Sequence, residues 1–315
     1  NHKAAEEHFK KYVKLDNTAN SYDSLAAGYM FAGKYDEAIA AVRKGTELNT
    51  TLDYLYGNLV RNLILKGSLL KAADANNYEA QITEREVTKV NCRFYSAFIE
   101  LLRGNINSSL LELKPVNDVY SQELYLIRLD ESPNLPFWLR GVIAFEQEDL
   151  STIREVIRWM EKKFSGYKDR TGGEVNATNY FPIYKFYVHL KALEACLKED
   201  GAEVLRYIEE GKRIKHKMGY WGSMFNLAYF FDEYAKVCIR LNMPNKAVEL
   251  LEEAIEYNPN FASSHLSMAK IRLGNNELDK AQQEYQKALE LLSDSDKDNI
   301  LFKETVKTGR KLSVP

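Results

Sequence analysis

YDSLAAGYMFAGKYDEAIAAVRKGTELNT, residues 22–50, reads as two short amphipathic helices joined by a glycine-containing turn. Tyr22, Leu25, Ala26 and Tyr29 fall on one helical face, at i, i+3, i+4 and i+7. Gly33 ends that helix, because glycine takes the left-handed conformation that helix C-termini often need. Tyr35, Ala38, Ile39 and Val42 repeat the spacing, and Asp36 and Glu37 complement the dipole of the second helix. Ala26 and Ala38 are small enough for the two helices to approach closely.

The pattern returns 34 residues later, where Tyr56, Leu59, Leu63, Gly67 and Ala72 stand for Tyr22, Leu25, Tyr29, Gly33 and Ala38. Aromatic, Leu, small, aromatic, Gly, aromatic and Ala at this period resemble the tetratricopeptide repeat. A lone helical hairpin cannot bury its apolar face, whereas stacked hairpins share a continuous core. The resemblance implies an all-α fold: a right-handed superhelical solenoid of about seven hairpins with a C-terminal capping helix.

Walking outward, residues 2–17 look like a second helix without its first. The chain thus reads as a fragment or a processed form, with apolar Phe9 and Tyr12 at its N-terminal edge. Asn76 stands where the second repeat expects an apolar residue. Phe94, Ala97, Phe98 and Leu101 open a third, 37 residues on from Gly67 at Gly104, and Pro115 is expected to end it. A short helix is expected at 121–129, between the third repeat and Pro133. The fourth repeat begins at Leu135, with Ser151 as the expected cap of its second helix. Residues 165–179 read as a long loop and 182–197 as a long helix, followed by a basic run at 211–217. The period of 34 is regained between Ala247 and Ala281, and Ile300, Leu301 and Val306 are assigned to the inner side of a final helix. The organisation is one solenoid over 1–315: regular repeats to 114, degenerate ones over 115–216, and C-terminal repeats with the cap over 217–315.

The composition is ordinary for a folded chain, with 45% hydrophobic and 28% charged residues. A net charge of −2 gives no electrostatic case for nucleic acid. No apolar run reaches the ~20 residues of a membrane-spanning helix, so no membrane insertion is expected. Cys92, Cys196 and Cys238 are far apart in helical segments and read as buried thiols. No phosphate-cradling loop, HExxH, CxxC or nucleophile elbow is present. None of the five histidines has a ligand partner at helical spacing, so neither metal nor cofactor is expected. The aromatic group Tyr220, Trp221, Phe225, Tyr229, Phe230, Phe231 and Tyr234 fits core packing better than a ligand cage.

The resemblance also implies a function. Tetratricopeptide solenoids hold peptides or helices on the concave face made by the first helix of each hairpin. In this register the partner-binding candidates are Asp23, Arg61, Trp138, His189, Asp232, Lys236, Arg240 and Lys270. The Lys and Asn clamp that captures chaperone tails is absent, since the matching positions hold Asp23, Ala27, Gly57 and Arg61. The expected role is a non-catalytic scaffold for a protein or peptide partner. The alternative is a ligand-sensing regulatory domain of a larger signalling or transport protein, as in bacterial members of the family. A cytoplasmic location is implied, or a periplasmic one for a processed form, and the exposed N-terminal edge would allow self-association.

Overall fold

The computed structural model describes residues 2–120, 134–176, 182–214 and 224–312, and among them finds sixteen α-helices and no strand. Helix α1 spans His2–Leu15. Seven hairpins follow: α2 (Ala19–Phe31) with α3 (Tyr35–Leu48), α4 (Asp53–Lys66) with α5 (Leu69–Ile82), and α6 (Glu86–Arg103) with α7 (Ile106–Tyr120). Next come α8 (Leu135–Glu146) with α9 (Leu150–Thr171), α10 (Pro182–Leu197) with α11 (Gly201–Arg213), α12 (Leu227–Arg240) with α13 (Pro244–Tyr257), and α14 (Ala262–Gly274) with α15 (Leu278–Leu291). Helix α16 (Ile300–Leu312) caps the stack. Each hairpin packs on the next, so the expected all-α superhelical solenoid is the fold.

Small residues make the founding hairpin work. Ala26, Ala38 and Val42 are wholly buried between α2 and α3, with Leu55 of the next hairpin closing the cluster. From the second helix of the first hairpin on, one continuous core runs from Ile39 to Ile271. Its centre is aromatic. Phe225, just before α12, meets Trp138 edge-on at 4.7 Å and Phe94 at 5.8 Å, tying the third, fourth and sixth hairpins together. Such pairs add about 0.5–1.5 kcal/mol each beyond the area they bury. Phe230, Phe231 and Tyr234 are buried as core; Tyr220 and Trp221 lie outside the described residues.

Several local expectations are revised. Pro115 lies inside α7 rather than ending it. A proline lacks only one amide hydrogen, and the surrounding contacts carry the helix past it. Asp149, not Ser151, caps α9 by accepting the Thr152 amide at 3.0 Å. Helix α9 continues to Thr171, which absorbs half of the predicted loop; residues 177–181 lie outside the described set, as does the helix expected at 121–129. On α16 the buried face is Thr305, Thr308 and Gly309, while Ile300 stays exposed. Asn76 is buried, and its amide nitrogen donates to the Cys92 carbonyl at 2.8 Å and to the Ser96 hydroxyl at 3.0 Å, so a polar residue is anchored where an apolar one was expected. Phe9 and Tyr12 are both half-buried.

All seven hairpin turns share one device. Two residues before each second helix the backbone enters the left-handed region: Gly33, Gly67 and Gly104 in the first three, then Glu148, Glu199, Asn242 and Asn276. The stack curves far enough that the first three turns meet the C-terminal end of the chain. Asn258 donates to the Tyr35 hydroxyl at 3.0 Å, and Asn260 to the Gly33 carbonyl at 3.1 Å. The Gly67 carbonyl accepts the Asp296 amide and the Ser295 hydroxyl, both at 3.1 Å, while the Asp296 carboxylate accepts the Leu70 amide at 2.7 Å. Lys66 pairs with Asp294 at 2.9 Å and Arg103 with Asp298 at 2.5 Å. The solenoid therefore closes on itself.

Candidate functional site

Closure turns the concave face into a chamber of about 510 Å³. First helices α4, α6, α8, α12 and α14 wall it, and α16 completes it across the seam. Phe98, Leu101, Val142, Tyr229, Leu266 and Ile300 supply apolar surface. The volume lies in the range of ligand sites that combine apolar walls with a few placed polar groups.

Six charged side chains line it: Glu146, Asp232, Glu233, Lys236, Lys270 and Glu304. Lys236 reaches Asp232 at 2.9 Å and Glu233 at 2.7 Å, one helical turn back on α12. Those two carboxylates outweigh the cost of burying its ammonium and raise the Lys236 pKa. About half of the Lys236 side chain remains accessible (47%), and that surface faces the chamber. Asp232 is almost wholly buried and also accepts the Ser263 and Ser264 hydroxyls at 2.7 and 3.0 Å. Lys270 pairs with Glu304 at 3.0 Å, joining α14 to α16. Glu146 makes no hydrogen bond or ion pair among the described residues. Glu146 stays solvent-exposed at the chamber wall, but crowding by neighbouring atoms, and then the charge of Glu233, raise its pKa above its ordinary value.

A tetratricopeptide-repeat family model matches residues 239–297, from the end of α12 through α15. That stretch of the chain carries the tetratricopeptide-repeat pattern. No curated protein matches it. Among solved structures, the Cut9–Hcn1 hetero-tetramer of the APC/C aligns with 97% of this chain and 53% of that one, at 10% identity and a TM-score of 0.50. A tetratricopeptide repeat protein from Parabacteroides merdae aligns with 91% of this chain and 98% of that one, at 13% identity and a TM-score of 0.45. The TPR2AB domain of yeast Sti1, solved as a pHSP90 complex, aligns with 94% of this chain and 98% of that one, at 16% identity and a TM-score of 0.36. At these identities the likeness is one of fold.

In this solenoid, three of the eight predicted residues, Asp232, Lys236 and Lys270, line the chamber. Asp23 and Arg61 do not. Asn58 donates to Asp23, and Arg61 donates to the Asn58 carbonyl oxygen at 2.7 Å and to the Tyr95 hydroxyl at 3.4 Å. That network links the first three hairpins, and burial raises the Asp23 pKa. Glu79, beside Gly57 in the same region, is pushed up to about 7 by burial, which the Arg61 charge only partly offsets.

Trp138 and His189 are fully buried. The Trp138 indole donates to His189 Nδ1 at 3.0 Å, so the imidazole carries its proton on Nε2. Burial, and then the Lys236 charge, push its pKa down to about 3. Both side chains face the core, where Trp138 meets the Phe186, Phe225 and Tyr229 rings and His189 meets Phe230 and Tyr234. Arg240 pairs with Glu148 and lies 4.9 Å over the Phe145 ring, off the chamber. Cys92, Cys196 and Cys238 are buried and free. Among the described residues no group of three or more His, Cys, Asp or Glu could hold a metal ion, and no helix is long and apolar enough to cross a membrane.

Glu146, Glu233 and Glu304 escaped the sequence reading, and Tyr229, assigned there to core packing, also lines the chamber. Glu146 ends its helix and reads as a solvated terminal charge, and Glu304 sits on the capping helix. Only closure of the ring turns both inward.

Proposed function

We propose that this protein is a non-catalytic interaction scaffold that receives a peptide or helical segment of a protein partner in the central chamber. The observation that carries the reading is the convergence of five first helices on one apolar, charge-rimmed cavity of about 510 Å³. Tetratricopeptide-repeat folds generally mediate protein–protein interactions, and Cut9 is solved as a hetero-tetramer with Hcn1. Asp232, Lys236 and Lys270 are assigned to the contact surface, with Glu146, Glu233 and Glu304 beside them.

A photo-crosslinking residue, p-benzoylphenylalanine, at Leu101 tests this directly. Leu101 lines the chamber, whereas Leu205 on α11 is exposed and does not. Polypeptide adducts from position 101 and none from 205 are expected in cells. Equal adducts from both positions would overturn the chamber as the site. An adduct of small-molecule mass at 101 would instead select the ligand-sensing alternative, which the cavity's size also suits.

A further inference from the structure

We infer that the segment held in the chamber carries a lysine or arginine among apolar side chains, seated against Glu146 and Glu233 beside the Tyr229 ring. The inference rests on the chamber reading above and names the chemistry of its occupant.

The argument starts from the charge already committed. Lys236 is shared by Asp232 and Glu233, and Lys270 is held by Glu304. The lining thus holds four carboxylates against two ammonium groups. The surplus gathers at one place, where α8 meets α12. Glu146 has no partner there, and Glu233 has only its share of Lys236. The next cation, Arg240, is held by Glu148 and stacked on Phe145. Glu233 and Glu146 lie close enough for each charge to be felt by the other, and Tyr229 feels both.

Covering this corner with an apolar or acidic segment would strip water from an unpaired carboxylate and return nothing, a cost of several kcal/mol for a fully buried charge. An ammonium or guanidinium replaces that water with charge-assisted hydrogen bonds. The Tyr229 ring adds an aromatic face, which attracts cations further when water is excluded. Phe98, Leu101, Val142 and Leu266 are left for apolar neighbours of the basic residue. The rest of the chamber does not share this preference, since Lys270 and Glu304 neutralise each other.

Three labelled decapeptides built from leucine and serine, identical except for a central Lys, Gln or Glu, provide the probe. Fluorescence anisotropy with the full chain should rank them Lys tightest, then Gln, then Glu, with about tenfold between the extremes, as one charge-assisted bond supplies. In the Glu146→Gln/Glu233→Gln double variant, which keeps the Lys236–Asp232 pair, the spread should fall below about threefold. In Glu146→Lys the order should reverse. A melting curve within a few degrees of the parent shows that each variant folds, and raising the salt should compress the parent's ranking without any substitution.

Equal binding of all three peptides by the parent, or an unchanged ranking in the variants, would overturn the inference while leaving the chamber reading intact. Binding of the Lys peptide without any adduct to p-benzoylphenylalanine at Leu101 would instead overturn the chamber reading and the inference with it.

Discussion

The three N-terminal turns and the four that follow take the same left-handed backbone with different residues. Hairpins one to three use Gly33, Gly67 and Gly104, whereas hairpins four to seven use Glu148, Glu199, Asn242 and Asn276. Conformation alone favours glycine at all seven. What separates the groups is what lies above the turn. A Cβ on Gly67 would stand 2.5 Å from the Ser295 hydroxyl oxygen and 3.1 Å from Asn299 Nδ2, and one on Gly33 would collide with the Asn258 side chain. Gly104 is looser, with Ile300 at 3.5 Å. Glu199, in contrast, is exposed. Glycine at the first two turns therefore records the closure of the ring, and side chains at the later ones record its open outer rim.

That contrast can be broken most severely through the curvature that brings the ends together. Trp138→Ala empties the aromatic hub and leaves His189 Nδ1 without its donor, so unfolding in urea should occur about 4 kcal/mol sooner. Small-angle scattering should show a larger radius as the ends separate. A parent-like radius would show that closure does not depend on the hub.

Gly67→Asn tests the seam itself. Asparagine tolerates the left-handed region, so the expected loss of about 2 kcal/mol isolates the overlap with Ser295 and Asn299. Amides at 294–299 should exchange faster than in the parent. Unchanged protection there would refute the steric reading of this glycine.

Glu79 separates closure from a second polar region, the buried network between the second and third hairpins. Its carboxyl keeps a proton to about pH 7 in the fold but loses it near 4.5 when unfolded. The folded state therefore binds more protons between those values, and stability falls as pH rises through that window. The effect should reach about 2 kcal/mol by pH 6. Glu79→Gln should flatten this slope without altering exchange at the closure seam. His189 acts in the opposite sense. It is held neutral to about pH 3 in the fold, so its contribution is lost as pH falls from about 6.5 toward 3.

Smaller effects sharpen the contrast. Arg103→Glu places like charges against Asp298 and should cost about 1 kcal/mol in dilute buffer, fading in 1 M NaCl because both groups remain partly exposed. Glu199→Gly relieves left-handed strain where nothing presses on the turn, and should stabilise by about half a kcal/mol. Destabilisation by that change would mean that the outer turns, too, are held by their side chains.

The fold was legible because its contacts are local. Residues such as Leu25, Ala26, Ala38 and Val42 repeat with the helical period, and hairpin partners lie within one repeat of each other. The period blurs in the middle for an equally local reason: 34 residues separate Gly33 from Gly67, but 51 separate Glu148 from Glu199, where α9 alone runs to 22 residues. The candidate site was legible only in part. Asp232, Lys236 and Lys270 follow from helical register on the last two hairpins. Trp138 and His189 share that register in principle, yet the rings of Phe186, Phe225, Tyr229, Phe230 and Tyr234 around them make both positions core.

By itself, then, the sequence determined the unit, its approximate sevenfold repetition and the amphipathic face of each helix, because helical periodicity reports neighbours a few residues away. Only the tertiary structure decided that the ring closes, that Ser295 and Asp296 lie on Gly67, and that Glu146 lies on the chamber wall. Closure is the sum of small rotations between successive hairpins, and its seam joins polar loops more than 190 residues apart. Nothing periodic in the chain distinguishes such loops from those that stay in water.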